Sequence, residues 1–184
     1  MYSQAFVLLI PLLGLVSCTS GIKSPRFTLE QLIGQRVVHD QRGTGTIRLH
    51  TGKPVRALFA PATVGRKKGW LQIDTGAPLT LLVADVCDAH GFIETSQGHA
   101  FTPAGDRMEL AVGTIHSMQL DGVEILGPVV LRQEDPSYFR SLAKPPGGGP
   151  VMGLLGLDTL RLLNAEIDVG RRVIRLGNGK TSIR

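Results

Sequence analysis

Apolar and polar residues alternate in short runs along most of this chain, a period of two that places successive side chains on opposite faces of a strand. Thr46-Ile47-Arg48-Leu49-His50 alternates, Thr51-Gly52-Lys53 turns, and Val55 to Ala60 returns, which predicts a hairpin. Pro61 to Lys68 is polar and basic and predicts a loop. Gly69-Trp70-Leu71-Gln72-Ile73 then puts Leu71 and Ile73 on one face of a strand that ends at Asp74, in a turn of Thr75, Gly76 and Ala77. Apolar sequence resumes at Leu79-Thr80-Leu81-Leu82, and the spacing of Leu82, Val83, Val86 and Cys87 predicts a short helix ending at Gly91, a residue suited to a left-handed cap. Thr95 to Val112 reads as a hairpin whose tip, Thr102-Pro103-Ala104-Gly105-Asp106, has strong turn chemistry. Ile115 to Leu120 and Val123 to Leu131 form another, joined at Asp121-Gly122. Arg132 to Gly149 is a long loop ending in Pro145-Pro146-Gly147-Gly148-Gly149, where no regular element persists. Pro150 to Leu160 runs from a buried strand into a helix over about Leu157 to Leu163, and Asn164 to Leu176 makes a last hairpin turned at Gly170. The sum is a mainly β fold with one or two short helices.

The beginning of the chain obeys a different pattern. Its first 17 residues carry no charge, and Ala5 to Val16 is almost wholly apolar. About a dozen residues are too few to cross roughly 30 Å of hydrocarbon as a helix, but they suit the apolar region of a signal peptide. Leu15-Val16-Ser17-Cys18, followed by Thr19-Ser20-Gly21, resembles a bacterial lipobox. That resemblance implies cleavage before Cys18, attachment of lipid (palmitate among the acyl groups) to that cysteine, and a place in the bacterial envelope; Thr19 points to the outer membrane, facing the periplasm. Met1 to Gln4 lack the Lys or Arg of the pattern, so an ordinary secretory signal stays open. The expected organisation is a signal peptide over 1–17, a lipidated cysteine and tether over 18–42, and a folded domain over 43–180. With Cys18 lipidated, Cys87 is the remaining thiol and no intrachain disulfide forms; its apolar surroundings predict a small buried side chain.

Composition narrows the classes. A chain of 184 residues is one domain plus extensions, and 23 glycines with 11 prolines favour strands and turns over long helices. The net charge of +5 is modest and spread out; its small clusters, Arg66-Lys67-Lys68 and Arg171-Arg172, lack the interleaved aromatics a nucleic-acid site needs for stacking and read as solvated faces with at most a weak attraction to anionic lipid. The histidines His39, His50, His90, His99 and His116 have no ligand spacing, so neither a metal nor another cofactor is expected. Ser-His-Asp chemistry lacks a nucleophile-elbow motif.

Asp74 is the acid with distinctive surroundings. Gly76 lets the main chain bend tightly after it, and the small Ala77 leaves its N–H approachable, so backbone amides can fix the carboxylate. Asp-Thr-Gly alone is a common turn tripeptide. Preceded by apolar residues and followed by Ala77 and then Leu-Thr-Leu-Leu, it resembles the active-site strand and turn of aspartic proteases, in particular the single-domain, retropepsin-like group. About 80 residues on, Leu154-Leu155-Gly156 resembles that family's hydrophobic-hydrophobic-Gly motif, which supports the catalytic loop and leads into its one substantial helix. The resemblance spans Thr46 to Leu176 and implies a retropepsin-like closed β-barrel, the acid-protease half-fold. It implies Asp74 as the catalytic acid, Thr75 in hydrogen bonds that brace two active-site loops, and Gly76 approaching the catalytic pair with its backbone. It also makes Thr102, Pro103, Ala104 and Gly105 the tip of a substrate-binding flap; without the resemblance, the residues do not decide between a flap and an ordinary surface hairpin.

Hydrolysis by carboxylates needs two of them facing one water and sharing one proton, because like charges a few ångströms apart do not both ionise cheaply. One Asp-Thr-Gly is present; Asp158 reads as an acid at a helix start and Asp168 as a hairpin residue. The family resemblance therefore implies a homodimer with one Asp74 from each chain about a two-fold axis, acting as an aspartic endopeptidase on a peptide or protein bound as an added strand. Two other readings remain open at this point: the same fold without activity, as a peptide-binding or scaffolding envelope lipoprotein, and a structural lipoprotein in which Asp-Thr-Gly-Ala is coincidence.

Overall fold

A computed structural model describes residues 37–53, 57–101, 105, 107–135, 139 and 144–177. The signal peptide, Cys18, the tether as far as residue 36, and Thr102, Pro103 and Ala104 of the hairpin tip lie outside the described residues. Strands β1 (Val37–Asp40), β2 (Thr46–Arg48), β3 (His50–Thr51), β4 (Leu58–Val64), β5 (Lys67–Ile73) and β6 (Leu81–Val83) precede helix α1 (Ala84–Asp88). There follow β7 (Ile93–Phe101), β8 (Arg107–Thr114), β9 (Ser117–Leu120), β10 (Val123–Leu126), β11 (Val129–Gln133) and β12 (Val151–Leu155). Helix α2 (Leu157–Leu162) leads into the closing pair β13 (Ala165–Asp168) and β14 (Val173–Leu176).

The larger sheet runs β1-β10-β9-β4-β5-β12-β6-β11-β8-β7, with β3 added on β4; the smaller runs β13-β14-β2. Closure would require the two end strands to bond to each other. Instead β1 pairs with β10 and β7 with β8, so the sheet is open and the expected closed barrel does not form. Side chains from both sheets, among them Ile47, Leu71, Leu82, Leu120, Leu155 and Ile174, are fully buried in one core.

Four expectations change. Val37–Asp40, assigned to the tether, is a strand that pairs with β10, so the folded part begins before residue 43. The run Thr46 to His50 divides: β2 joins β14 in the small sheet, while β3 forms the expected hairpin with β4. Pro61 to Lys68 is not a loop but the end of β4, a two-residue turn at Gly65-Arg66 with Gly65 at φ +58°, and the start of β5. Pro61 fits a strand because only its carbonyl is used there beyond β5, accepting from the Asp121 N–H at 3.0 Å. Finally, Val123 to Leu131 is two strands: after Gly127 at φ +59°, β11 leaves the β9–β10 hairpin and pairs with β8 and β6.

Candidate active site

Strand β12 lies between β5 and β6, parallel to the first and antiparallel to the second. The connection from β5 to β6, residues 74–80, therefore straddles the end of β12. Gly153 permits this: a Cβ there would overlap the Leu81 carbonyl oxygen. Buried Leu154 pairs with Gln72 on one side and Leu81 on the other, and the carbonyl of buried Leu155 accepts the Asp74 N–H at 3.0 Å.

Within the loop, the Gly76 N–H donates to Asp74 Oδ1 at 2.9 Å and the Ala77 N–H to the Asp74 carbonyl at 3.3 Å. The carboxylate is thus oriented by the turn that follows it. Asp74 and Gly76 are half-buried, whereas Thr75 between them is exposed.

The same loop completes α2. A helix begins with N–H groups that have no partner inside it, and a Ser, Thr, Asp or Asn usually supplies one. Here the capping position is Gly156, which has no side chain to offer, because a Cβ would run into the backbone of Leu79 and Thr80. The loop supplies the acceptors instead. Leu157 N–H donates to the Ala77 carbonyl at 2.8 Å, Asp158 N–H to the Pro78 carbonyl at 3.2 Å, and Gly156 N–H to Thr80 Oγ1 at 3.1 Å. Leu154, Leu155 and Gly156 are thereby brought together with Asp74, Thr75 and Gly76 as one unit.

Beside Thr75 a groove of about 440 Å³ is lined by Leu157, Leu160, Ala165 and Ile167, with the exposed Arg161 and Asn164. The hairpin expected over Thr95 to Val112 is formed by β7 and β8, with β8 two strands from β6. At its tip Gly105 is exposed, at φ +91°, with open space where a Cβ would be.

Asp158 and Asp168, the two other acids weighed in the sequence, are engaged by neighbours of their own. Asp158 lies in the first turn of α2 and accepts from Thr80. Asp168 accepts from the Arg171 N–H at 2.8 Å and Arg175 Nη2 at 2.7 Å, and these bonds hold its carboxyl below the usual range. Cys87 is fully buried, as its surroundings predict, and burial pushes its thiol up to about 12. Among the described residues no three His, Cys, Asp or Glu side chains gather as a metal site would need. Sequence reasoning passed over Thr80; the one signal for it was a hydroxyl in an otherwise apolar run.

Fold and site together define a mainly β domain that presents a strand-end carboxylate on a loop shared with a helix start. No protein-family model matches the sequence, and no curated protein matches it. Among solved structures, the retroviral protease-like domain of Ddi1 from Leishmania major is similar over 68% of this chain and 92% of its own, at 19% identity and a TM-score of 0.48. A retropepsin-like aspartic protease from Rickettsia conorii is similar over 77% of this chain and 90% of its own, at 19% identity and a TM-score of 0.45.

Proposed function

We propose that this chain is an aspartic endopeptidase that works as a homodimer, each copy contributing one Asp74 to a pair of carboxylates that share a proton and hold the attacking water. The ionised member takes a proton from the water as it attacks the peptide carbonyl; the protonated member gives its proton to the carbonyl oxygen. Breakdown of the resulting diol returns a proton to the leaving nitrogen. The observation that carries this reading is the state of Asp74 itself. Its Oδ1 is held by the Gly76 N–H and its loop is bonded to β12 and α2, yet the site stays open at Thr75. A carboxylate fixed so firmly beside an exposed residue suits a face that a second copy covers. The apolar groove next to Thr75 offers that copy something to bury.

The Asp-Thr-Gly-Ala and Leu-Leu-Gly pair supports the same reading, since the two motifs meet in space. The substrate is an extended peptide or protein segment, bonded through its main chain beside the β7–β8 hairpin, with Thr102, Pro103, Ala104 and Gly105 closing over it. Lipid on Cys18 tethers the enzyme in the bacterial envelope, the tether ending where β1 begins. Labelled palmitate fed to expressing bacteria should enter the protein and should not enter Cys18→Ala; label retained in that variant contradicts the anchor.

Digestion of a peptide library tests the activity. The purified protein should cleave in a pepstatin-sensitive way, and Asp74→Asn should lose at least about a thousandfold in kcat/KM, as removal of a general acid–base group does. Cleavage by Asp74→Asn at the parent rate overturns the assignment, and peptide bound but left intact by both forms favours a binding protein.

A further inference from the structure

The hydroxyl of Thr80 has one proton and two lone pairs, and the fold uses all three. Thr80 is fully buried. Its Oγ1 lies 2.9 Å from Asp158 Oδ1, 2.7 Å from Thr159 Oγ1 and 3.1 Å from the Gly156 nitrogen. An ionised carboxylate only accepts, so the Thr80 proton goes to Asp158; the Gly156 N–H donates to Thr80, and the buried Thr159 hydroxyl fills the last lone pair. The Thr80 N–H adds a second bond to Asp158 Oδ1 at 2.9 Å. We infer that Thr80 and Asp158 act as a positioning pair for Asp74, locking the far end of the catalytic loop to the start of α2.

The near end of that loop is fixed by the Asp74 N–H on the Leu155 carbonyl, and its middle by Ala77 and Pro78 capping the helix. Thr80 is the point where the chain turns from loop into β6, its carbonyl taken by the Leu131 N–H at 2.8 Å. Removing its hydroxyl would strand the Gly156 and Thr159 donors in a dry site and free the loop to shift. A pair of carboxylates tolerates little displacement, since about 1 Å of misplacement costs about a hundredfold in rate. The inference rests on the endopeptidase reading, so its test has one arm that needs no activity.

Thr80→Val removes the hydroxyl at nearly constant shape, and Thr80→Ser keeps it. In the full protein, Thr80→Val should lower kcat by about a hundredfold with KM within about twofold. Amide hydrogen exchange at Gly76 and Gly156 should quicken by about tenfold, and Thr80→Ser should restore both rate and protection to within about threefold. Unchanged kcat, or unchanged exchange at those two amides, overturns the inference, as does a serine variant no better than valine. If the parent protein cleaves nothing, the endopeptidase reading falls while the exchange arm still decides whether Thr80 holds the loop. Should Thr80→Val fail to fold, Asp158→Ala removes the acceptor and leaves the hydroxyl; lowered kcat at constant KM and faster Gly76 exchange support the pair, and parent values in both contradict it.

Discussion

Gly156 shows how little freedom single residues have around Asp74. Any side chain there meets the backbone of Leu79 and Thr80, and Thr80 is held by its carbonyl on the Leu131 N–H and by its own N–H on Asp158. Gly156→Ala should therefore cost about 1–3 kcal/mol, the range for overpacking a closed site, read as a lower urea midpoint at unchanged m-value. A midpoint equal to the parent's contradicts the contact. Cys87 makes a second residue-scale test. Burial raises its thiol from 9.0 to about 12, with the Arg132 charge opposing and Asp88 and Asp85 adding to the rise. At pH 8 the native thiol is protonated and enclosed, so it should not react with a thiol reagent until denaturant is added. Above pH 9 the unfolded thiol ionises while the folded one does not. Stability should thus fall as pH climbs from 9 towards 12, and should do so less in Cys87→Ala.

At the scale of elements, the turn between β9 and β10 clamps the neighbouring sheet. Asp121 accepts from the Arg48 N–H, Nε and Nη2 of β2 at 2.8, 3.0 and 2.9 Å, and pairs with Arg42 at 3.1 Å. Burial works to raise its carboxyl, but the Arg48 hydrogen bonds and the charges of Arg42 and Arg48 outweigh this and hold it below the ordinary 3.8. A carboxyl depressed in the folded state stabilises above its unfolded value, and that contribution is lost as pH falls through the folded value. Asp121→Asn should therefore be less stable than the parent at pH 7, with the gap shrinking below pH 3.8; a constant gap from pH 7 to pH 2.5 contradicts the clamp. This clamp was not legible in the sequence, and the reason is distance along the chain. Strand β5, helix α1 and the β13–β14 hairpin declare themselves because their periodicity and turn residues are local. Strand β1 is short, and nothing nearby marks it; the alternation of Thr46 to His50 marks β2 but not its partner β14, far away in sequence. Pro61 to Lys68 reads as a loop because its polar, basic character is a local fact, whereas the Asp121 bond that suits Pro61 to β4 is not. For the site, Asp74, Thr75, Gly76 and Leu154 to Gly156 were readable as motifs. Their mutual capping, and the roles of Thr80 and Asp158 in it, exist only once β12 has passed between β5 and β6.

For the molecule as a whole, the described part of one chain places one carboxylate and leaves an apolar groove beside it. The proposed dimer, covering Thr75, would account for both and would make activity a property of association rather than of the single chain. In such a dimer two copies of Asp74→Asn would bring no acid to the axis, and a mixed dimer would bring one. The most direct test is the cleavage rate per chain across a dilution series that crosses the dimer dissociation constant measured by sedimentation. The account predicts that the rate falls as the dimer dissociates, and that added Asp74→Asn chains lower the parent's activity by drawing it into mixed dimers. A rate per chain that stays constant while the protein becomes monomeric contradicts it.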